Sequence, residues 1–203
     1  MSIVVGVVPG RDPRPPVRLG ALMARSYGRR LLLVSIVSDP WGSGSGRVDA
    51  GFRRYRDRET ARCLDAAAAT VPDGIAVEQF SRESRSPRSG LLRVCREVGA
   101  YRLVLGSSED APAGGIRLGG VATGLLHSAP LPVALAPRGF DTAEAERITR
   151  VSAAFNGTDA SARLVLGAAL PGDGRAAVEE ARPPRTRDRR DQPGRVGVSG
   201  RRR

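Results

Sequence analysis

Three stretches of this chain are apolar at nearly every position rather than at every second one. They are Ser2 to Val8, closed by Pro9-Gly10; Leu31-Leu32-Leu33-Val34-Ser35-Ile36-Val37; and Leu103-Val104-Leu105, closed by Gly106. A strand with that pattern has no face to give to water, so it belongs inside a sheet covered on both sides. Between these runs lie segments with helical spacing. Pro15 to Tyr27 carries Val17, Leu19, Leu22, Met23 and Tyr27, and Ser89 to Val98 carries Leu91, Leu92, Val94, Cys95 and Val98. From about Phe52 to Ala69 a charged, Ala-rich helix is expected, with Phe52, Tyr55, Cys63 and Leu64 inward and Arg53, Arg54, Asp57 and Arg58 in solvent. Ile75 to Phe80 reads as a short alternating strand and Leu131 to Ala136 as a last one.

The order is therefore β-α-β-α-β-α-β-α-β. Right-handed crossovers turn it into a five-stranded parallel doubly wound sheet of Rossmann-like α/β class, with the first strand beside the fourth and a ligand crevice where the winding reverses. Two turns meet at that crevice: Val8-Pro9-Gly10-Arg11-Asp12, and the Gly-rich segment from Gly106 to Gly120 that leads into the helix opened by Leu118-Gly119-Gly120-Val121. Glycine after a buried strand lets the chain turn, and the free N–H groups of the next helix then face the loop, which is the physics of an anion cradle.

Charge and reactive residues narrow the function classes. The net charge is +12, and all 33 basic residues are arginine. Nucleic acid is the usual partner of such a balance. An Arg-only bias beside abundant Ala, Gly and Pro with a single Asn also follows from GC-rich codons. The cysteines, Cys63 and Cys95, lie in helical patterns and are expected to be reduced and partly buried, with no metal-ligand spacing. His127, the lone histidine, falls near the end of a helix, and no Ser/His/Asp or Cys/His set can be assembled around it. The chain is read as non-enzymatic. It is also read as cytoplasmic, since no run approaches the roughly 20 apolar residues of a membrane span. Trp41, in the Gly/Ser-rich loop after the second strand, is a possible cover for a base.

The order of elements, together with Leu118-Gly119-Gly120-Val121-Ala122-Thr123-Gly124-Leu125-Leu126-His127-Ser128-Ala129-Pro130-Leu131-Pro132-Val133, resembles the universal stress protein family. That family carries a strand, then Gly, two residues, Gly, nine residues, Gly and Ser or Thr, then a helix and a Pro-containing strand. The resemblance implies an adenine-nucleotide α-hydrolase-like fold and an ATP crevice. An acidic residue after strand one would hold the nucleotide there, where this chain has Val8, Pro9, Gly10 and Asp12. Backbone groups near Val37 would contribute after strand two, and Gly106, Ser107, Glu109, Gly119, Gly120 and Val121 would surround the phosphates. It also implies a homodimer built on the Leu131–Ala136 edge.

Three positions depart from the pattern. Glu109 stands at the middle glycine, Gly120 stands at the Ser/Thr, and Val8-Pro9-Gly10 stands where an acid is expected, with Asp12 as the nearest substitute. A unit charge about 4 Å from one phosphate charge costs roughly 1 kcal/mol in water and about 4 kcal/mol at a partly buried surface, so Glu109 opposes tight ATP binding. A route through Gly114-Gly115 that turns Glu109 to solvent, or makes it a Mg²⁺ ligand, would relieve this.

Residues 1–139 are assigned to the stress-type domain and 140–147 to a linker. The family's first strand then restarts at Ile148-Thr149-Arg150-Val151-Ser152-Ala153-Ala154-Phe155, with Asn156 in the acid's place, so 148–170 read as the opening strand and helix of an incomplete second copy. Residues 171–203, with ten arginines and almost no apolar residue able to form a core, are expected to be disordered. The reading adopted is a second domain cut short. The alternatives are a nucleic-acid-binding protein working through this tail, or an ATP-hydrolysing or adenylyl-transferring enzyme of the same fold group.

Overall fold

The computed structural model describes residues 1–38, 50–141, 147–152 and 158–159. The chain divides into two units, Met1–Thr149 and Arg150–Arg203. Trp41, Asn156, residues 160–170 and the 171–203 tail lie outside the described residues, as do Ala153, Ala154 and Phe155 of the expected second-copy strand. Residues 147–152 carry no helix or strand, and the Ile148 N–H donates to Ser26 Oγ at 2.8 Å.

The first unit alternates strand and helix as the sequence predicts: β1 (Ser2–Gly6), α1 (Arg14–Tyr27), β2 (Arg30–Ser38), α2 (Ala50–Ala68), β3 (Val77–Ser84), α3 (Pro87–Glu97), β4 (Arg102–Gly106), α4 (Gly120–Ser128) and β5 (Val133–Ala136). The strands form one parallel sheet in the order β3-β2-β1-β4-β5. Successive side chains of the central strands alternate between two buried layers, which is why the sequence shows no polar face. Ile3, Val5, Leu31, Leu33 and Val104 meet Val17, Ala21 and Ala24 of α1 and Leu64 and Ala67 of α2. Val4, Leu32, Val34, Leu103 and Leu105 meet Leu91, Val94 and Cys95 of α3 and Ala122 and Leu125 of α4.

Local signals set the helix ends. Prolines occupy the first turn of α1, where no N–H is needed, and the helix stops at Gly28, whose φ of 60° is left-handed. Ser86 caps α3 by accepting the Ser89 N–H at 3.2 Å, with Pro87 following. Among the cysteines, Cys95 is buried and its thiol is pushed up to about 11 by desolvation; burial raises Cys63 as well, and both are free.

Two elements differ from the sequence reading. In α2 the inward stripe holds at Leu64 and Ala67, with Thr60 also buried, but Phe52 and Tyr55 are 54% and 60% exposed. Arg56 makes the contact with the strand ends instead: Nη1 donates to the Ser38 carbonyl at 3.0 Å, Nη2 lies 3.6 Å from Glu83, and the guanidinium sits 5.6 Å from the Phe52 ring centre. β3 runs through Ser81-Arg82-Glu83-Ser84, past the apolar segment, because the ladder to β2 continues to Ser38. Its charges suit an edge strand, where they discourage pairing with other chains. Arg82 is held by Glu97 at 2.7 Å and lies 5.0 Å from the Phe80 ring.

Candidate functional site

In a sheet of this order, the connection from β1 leaves toward one face and that from β4 toward the other, so a crevice opens between their carboxyl ends. A cleft of about 750 Å³ occupies that place. Val8, Pro9 and Asp12 line it from the β1 turn; Gly106, Ser107, Glu109, Gly119, Gly120 and Val121 line it from the β4 turn and α4. The two turns are thus on one rim of the sheet. Gly10, at φ 80°, forms the bend of its turn and is not in the wall. Val37 is not in the wall either. The strand alternation presents Val34, Ile36 and Ser38 to the cleft instead.

The loop after β4 is an ordered excursion. Ser107 N–H donates to the Ala136 carbonyl at 3.0 Å, and Ser108 N–H to the Arg117 carbonyl at 2.9 Å. Arg117 N–H in turn donates to Ser107 Oγ at 2.8 Å, closing the neck of the loop. Its outer part is tied to the chain after β5: Arg138 N–H donates to Gly115 O at 3.0 Å, Gly114 N–H to Arg138 O at 2.9 Å, and Arg138 Nη1 to Ala111 O at 2.8 Å. Gly114 makes that return with a φ of 73°. Glu109 is exposed on this loop while still bordering the cleft.

At the far end of the loop α4 begins without a side-chain cap. Gly119 is its N-cap and Thr123 N–H is bonded to Gly119 O at 2.9 Å, so the N–H groups of Gly120, Val121 and Ala122 have no acceptor within the helix. A Cβ on Gly119 or Gly120 would meet nothing within 4 Å, so the space in front of these donors is open.

The acid nearest the expected position is already engaged. Asp12 Oδ1 accepts from Arg14 N at 3.0 Å and Nε at 2.9 Å, and Oδ2 accepts from Nε at 3.2 Å and Nη2 at 2.9 Å. Three N–H groups make these contacts, with Nε–H shared between the two oxygens, so both oxygens of the carboxylate are engaged by Arg14. Side-chain hydrogen bonding from Arg14 holds the carboxyl below its ordinary value, outweighing a smaller desolvation effect. Asp12 therefore offers a ligand less acceptor capacity than a free carboxylate would.

Arg11, in the turn that sequence reasoning placed at the crevice, and Arg138, which it missed, both line the cleft. Neither has a carboxylate partner among the described residues, and Glu109 has no cationic one. The signal available for Arg138 was its place one residue after the Ala136-Pro137 end of the last strand, on the rim where the other turns converge. His127 lies outside the cleft wall, its Nδ1 bonded to the Thr123 carbonyl at 2.8 Å. Among the described residues no group of His, Cys, Asp and Glu is placed to hold a metal ion, and no helix is long and apolar enough to cross a membrane.

A doubly wound parallel sheet with a glycine-lined cleft at its switch point defines a Rossmann-like α/β protein with its ligand crevice in the place usual for such sheets. Residues 1–137 match the universal stress protein family, and the chain belongs to it. Universal stress proteins of Mycobacterium tuberculosis and Mycobacterium bovis are 34% identical to it over 169 residues, covering 81% of this chain and 58% of theirs. The chain thus spans little more than half the length of these curated relatives. The same fold is seen in the universal stress protein from Archaeoglobus fulgidus, 22% identical, covering 67% of this chain and 98% of that one with a TM-score of 0.51. A further structure from that organism is a complex with dAMP, 22% identical, covering 67% of this chain and 97% of that one with a TM-score of 0.50.

Proposed function

We propose that this chain is a stress-response binding protein rather than a catalyst, and that its cleft is an altered nucleotide crevice that holds ATP poorly. The observation that carries the reading is the meeting of the β1 turn with the Gly106–Gly120 loop around the open N-terminus of α4. Free N–H donors and unpaired arginines suit a phosphate, and the Val34, Ile36 and Leu91 side of the same cleft suits an apolar ring. The dAMP complex of the archaeal relative supports a nucleotide as the ligand. Glu109 on the wall and the engagement of Asp12 by Arg14 weigh against tight ATP binding.

Self-association through β5 belongs to the same reading. One edge of β5 pairs with β4 and the other pairs with no strand of the sheet. An unpaired apolar edge offers a second copy backbone donors and acceptors.

Thermal unfolding of the full chain with added nucleotide tests the crevice. A ligand at 100 times its dissociation constant stabilises by about 2.7 kcal/mol, which corresponds to roughly 5–11 °C in a domain of this size. Millimolar AMP is expected to raise the midpoint clearly, and Mg²⁺-ATP to raise it much less. No shift with either nucleotide would retire the reading.

A further inference from the structure

We infer that the cleft sorts nucleotides by phosphate count, with Glu109 as the side chain that turns polyphosphates away; this rests on the nucleotide reading above. The argument is a charge count along one wall. Arg11 and Arg138 are cations without carboxylate partners among the described residues, Asp12 is neutralised by its own neighbour Arg14, and Glu109 remains as an unpaired anion. The unpaired charges sum to one positive charge.

A single phosphate monoester carries about 1.5 to 2 negative charges at neutral pH, which exceeds the positive charge of this wall by about one or less. Each additional phosphate adds at least one more negative charge, and the described wall has no further free cation to meet it. The loop also fixes where the excess would be felt. Its C-terminal end supplies the uncapped N–H groups of Gly120 and Val121, and its N-terminal part supplies Glu109, both bordering one cleft. A first phosphate settled on the helix end leaves later ones facing a wall whose remaining charged side chain is a carboxylate.

Arg138 strengthens the case because it is not free to swing away. Its Nη1 is held by the Ala111 carbonyl at 2.8 Å, and its backbone is bonded to Gly114 and Gly115 on the loop that carries Glu109. The cation and the loop backbone that bears the anion are thus parts of one braced unit, which keeps Glu109 at the rim of the same cleft as Arg138.

Calorimetric titration of the full chain and of Glu109→Gln with AMP and ATP, each in EDTA and in Mg²⁺, tests the inference. The native chain is expected to bind AMP at least about tenfold more tightly than ATP. Glu109→Gln should tighten ATP by about tenfold, in line with removing one charge a few ångströms from the added phosphates, and leave AMP within about twofold. An unchanged ATP-to-AMP ratio in the variant overturns the inference. So does ATP binding that requires Mg²⁺ and is lost in Glu109→Gln, which would make Glu109 a metal ligand. AMP binding without discrimination removes this inference alone, whereas no binding of either nucleotide removes the crevice reading together with it.

Discussion

Gly20→Val is expected to destabilise the first unit by about 3 kcal/mol or more, lowering its unfolding midpoint by roughly 6–12 °C. Gly20 lies in the middle of α1 and is buried against the sheet. A Cβ there would stand 2.4 Å from Val5 Cγ2 and 3.1 Å from Leu31 Cδ1, so the helix has to lift from β1 and β2 or the core must open. Glycine in a helix interior costs about 1 kcal/mol relative to alanine, and the close approach of α1 to the sheet outweighs that cost. Gly120→Ala, at a site with nothing within 4 Å, is the matched control and is expected to stay within about 0.5 kcal/mol. Circular dichroism melts read both. A Gly20→Val midpoint equal to that of the control would mean that α1 is not seated as described.

The largest functional change is expected from restoring two positions of the family pattern together. Glu109→Gly removes the carboxylate from the wall, and Gly120→Ser places a hydroxyl in the open space before the α4 donors. Removing the charge is worth about tenfold for a polyphosphate. A hydrogen bond to a charged group is worth about 1.5 kcal/mol at the low end, again roughly tenfold. ATP affinity of the double variant should therefore rise by about 100-fold, measured by equilibrium dialysis. An unchanged affinity would place the defect in the β1 turn, where Asp12 is committed to Arg14.

The sheet was legible because its signal is coarse. Continuous apolar strands such as Leu31–Val37 have only one home in an α/β layer, and the Gly106 turn announces the crevice rim. What the sequence did not disclose depends on three-dimensional competition. Phe52 and Tyr55 fit the helical stripe as well as Leu64 does, yet Arg56 reaches Ser38 and Glu83 and takes the contact they were expected to make. Asp12 reads as a free acid until Arg14 is seen to engage both of its oxygens. Arg138 lies 29 residues beyond Glu109 and becomes its neighbour on the cleft wall only because β5 returns beside β4. Gly20 carries no local mark at all, since its role is set by the distance between α1 and the sheet.

The most direct test of the shared cleft is a two-dimensional amide NMR titration of the full chain with AMP. Amide shifts are expected together at Val8, Arg11, Ser107, Ser108 and Gly119 to Val121, two stretches about a hundred residues apart in sequence that border one cavity. Shifts confined to one of those turns, or gathered at the opposite end of the sheet near Tyr27 and Tyr101, would contradict the account.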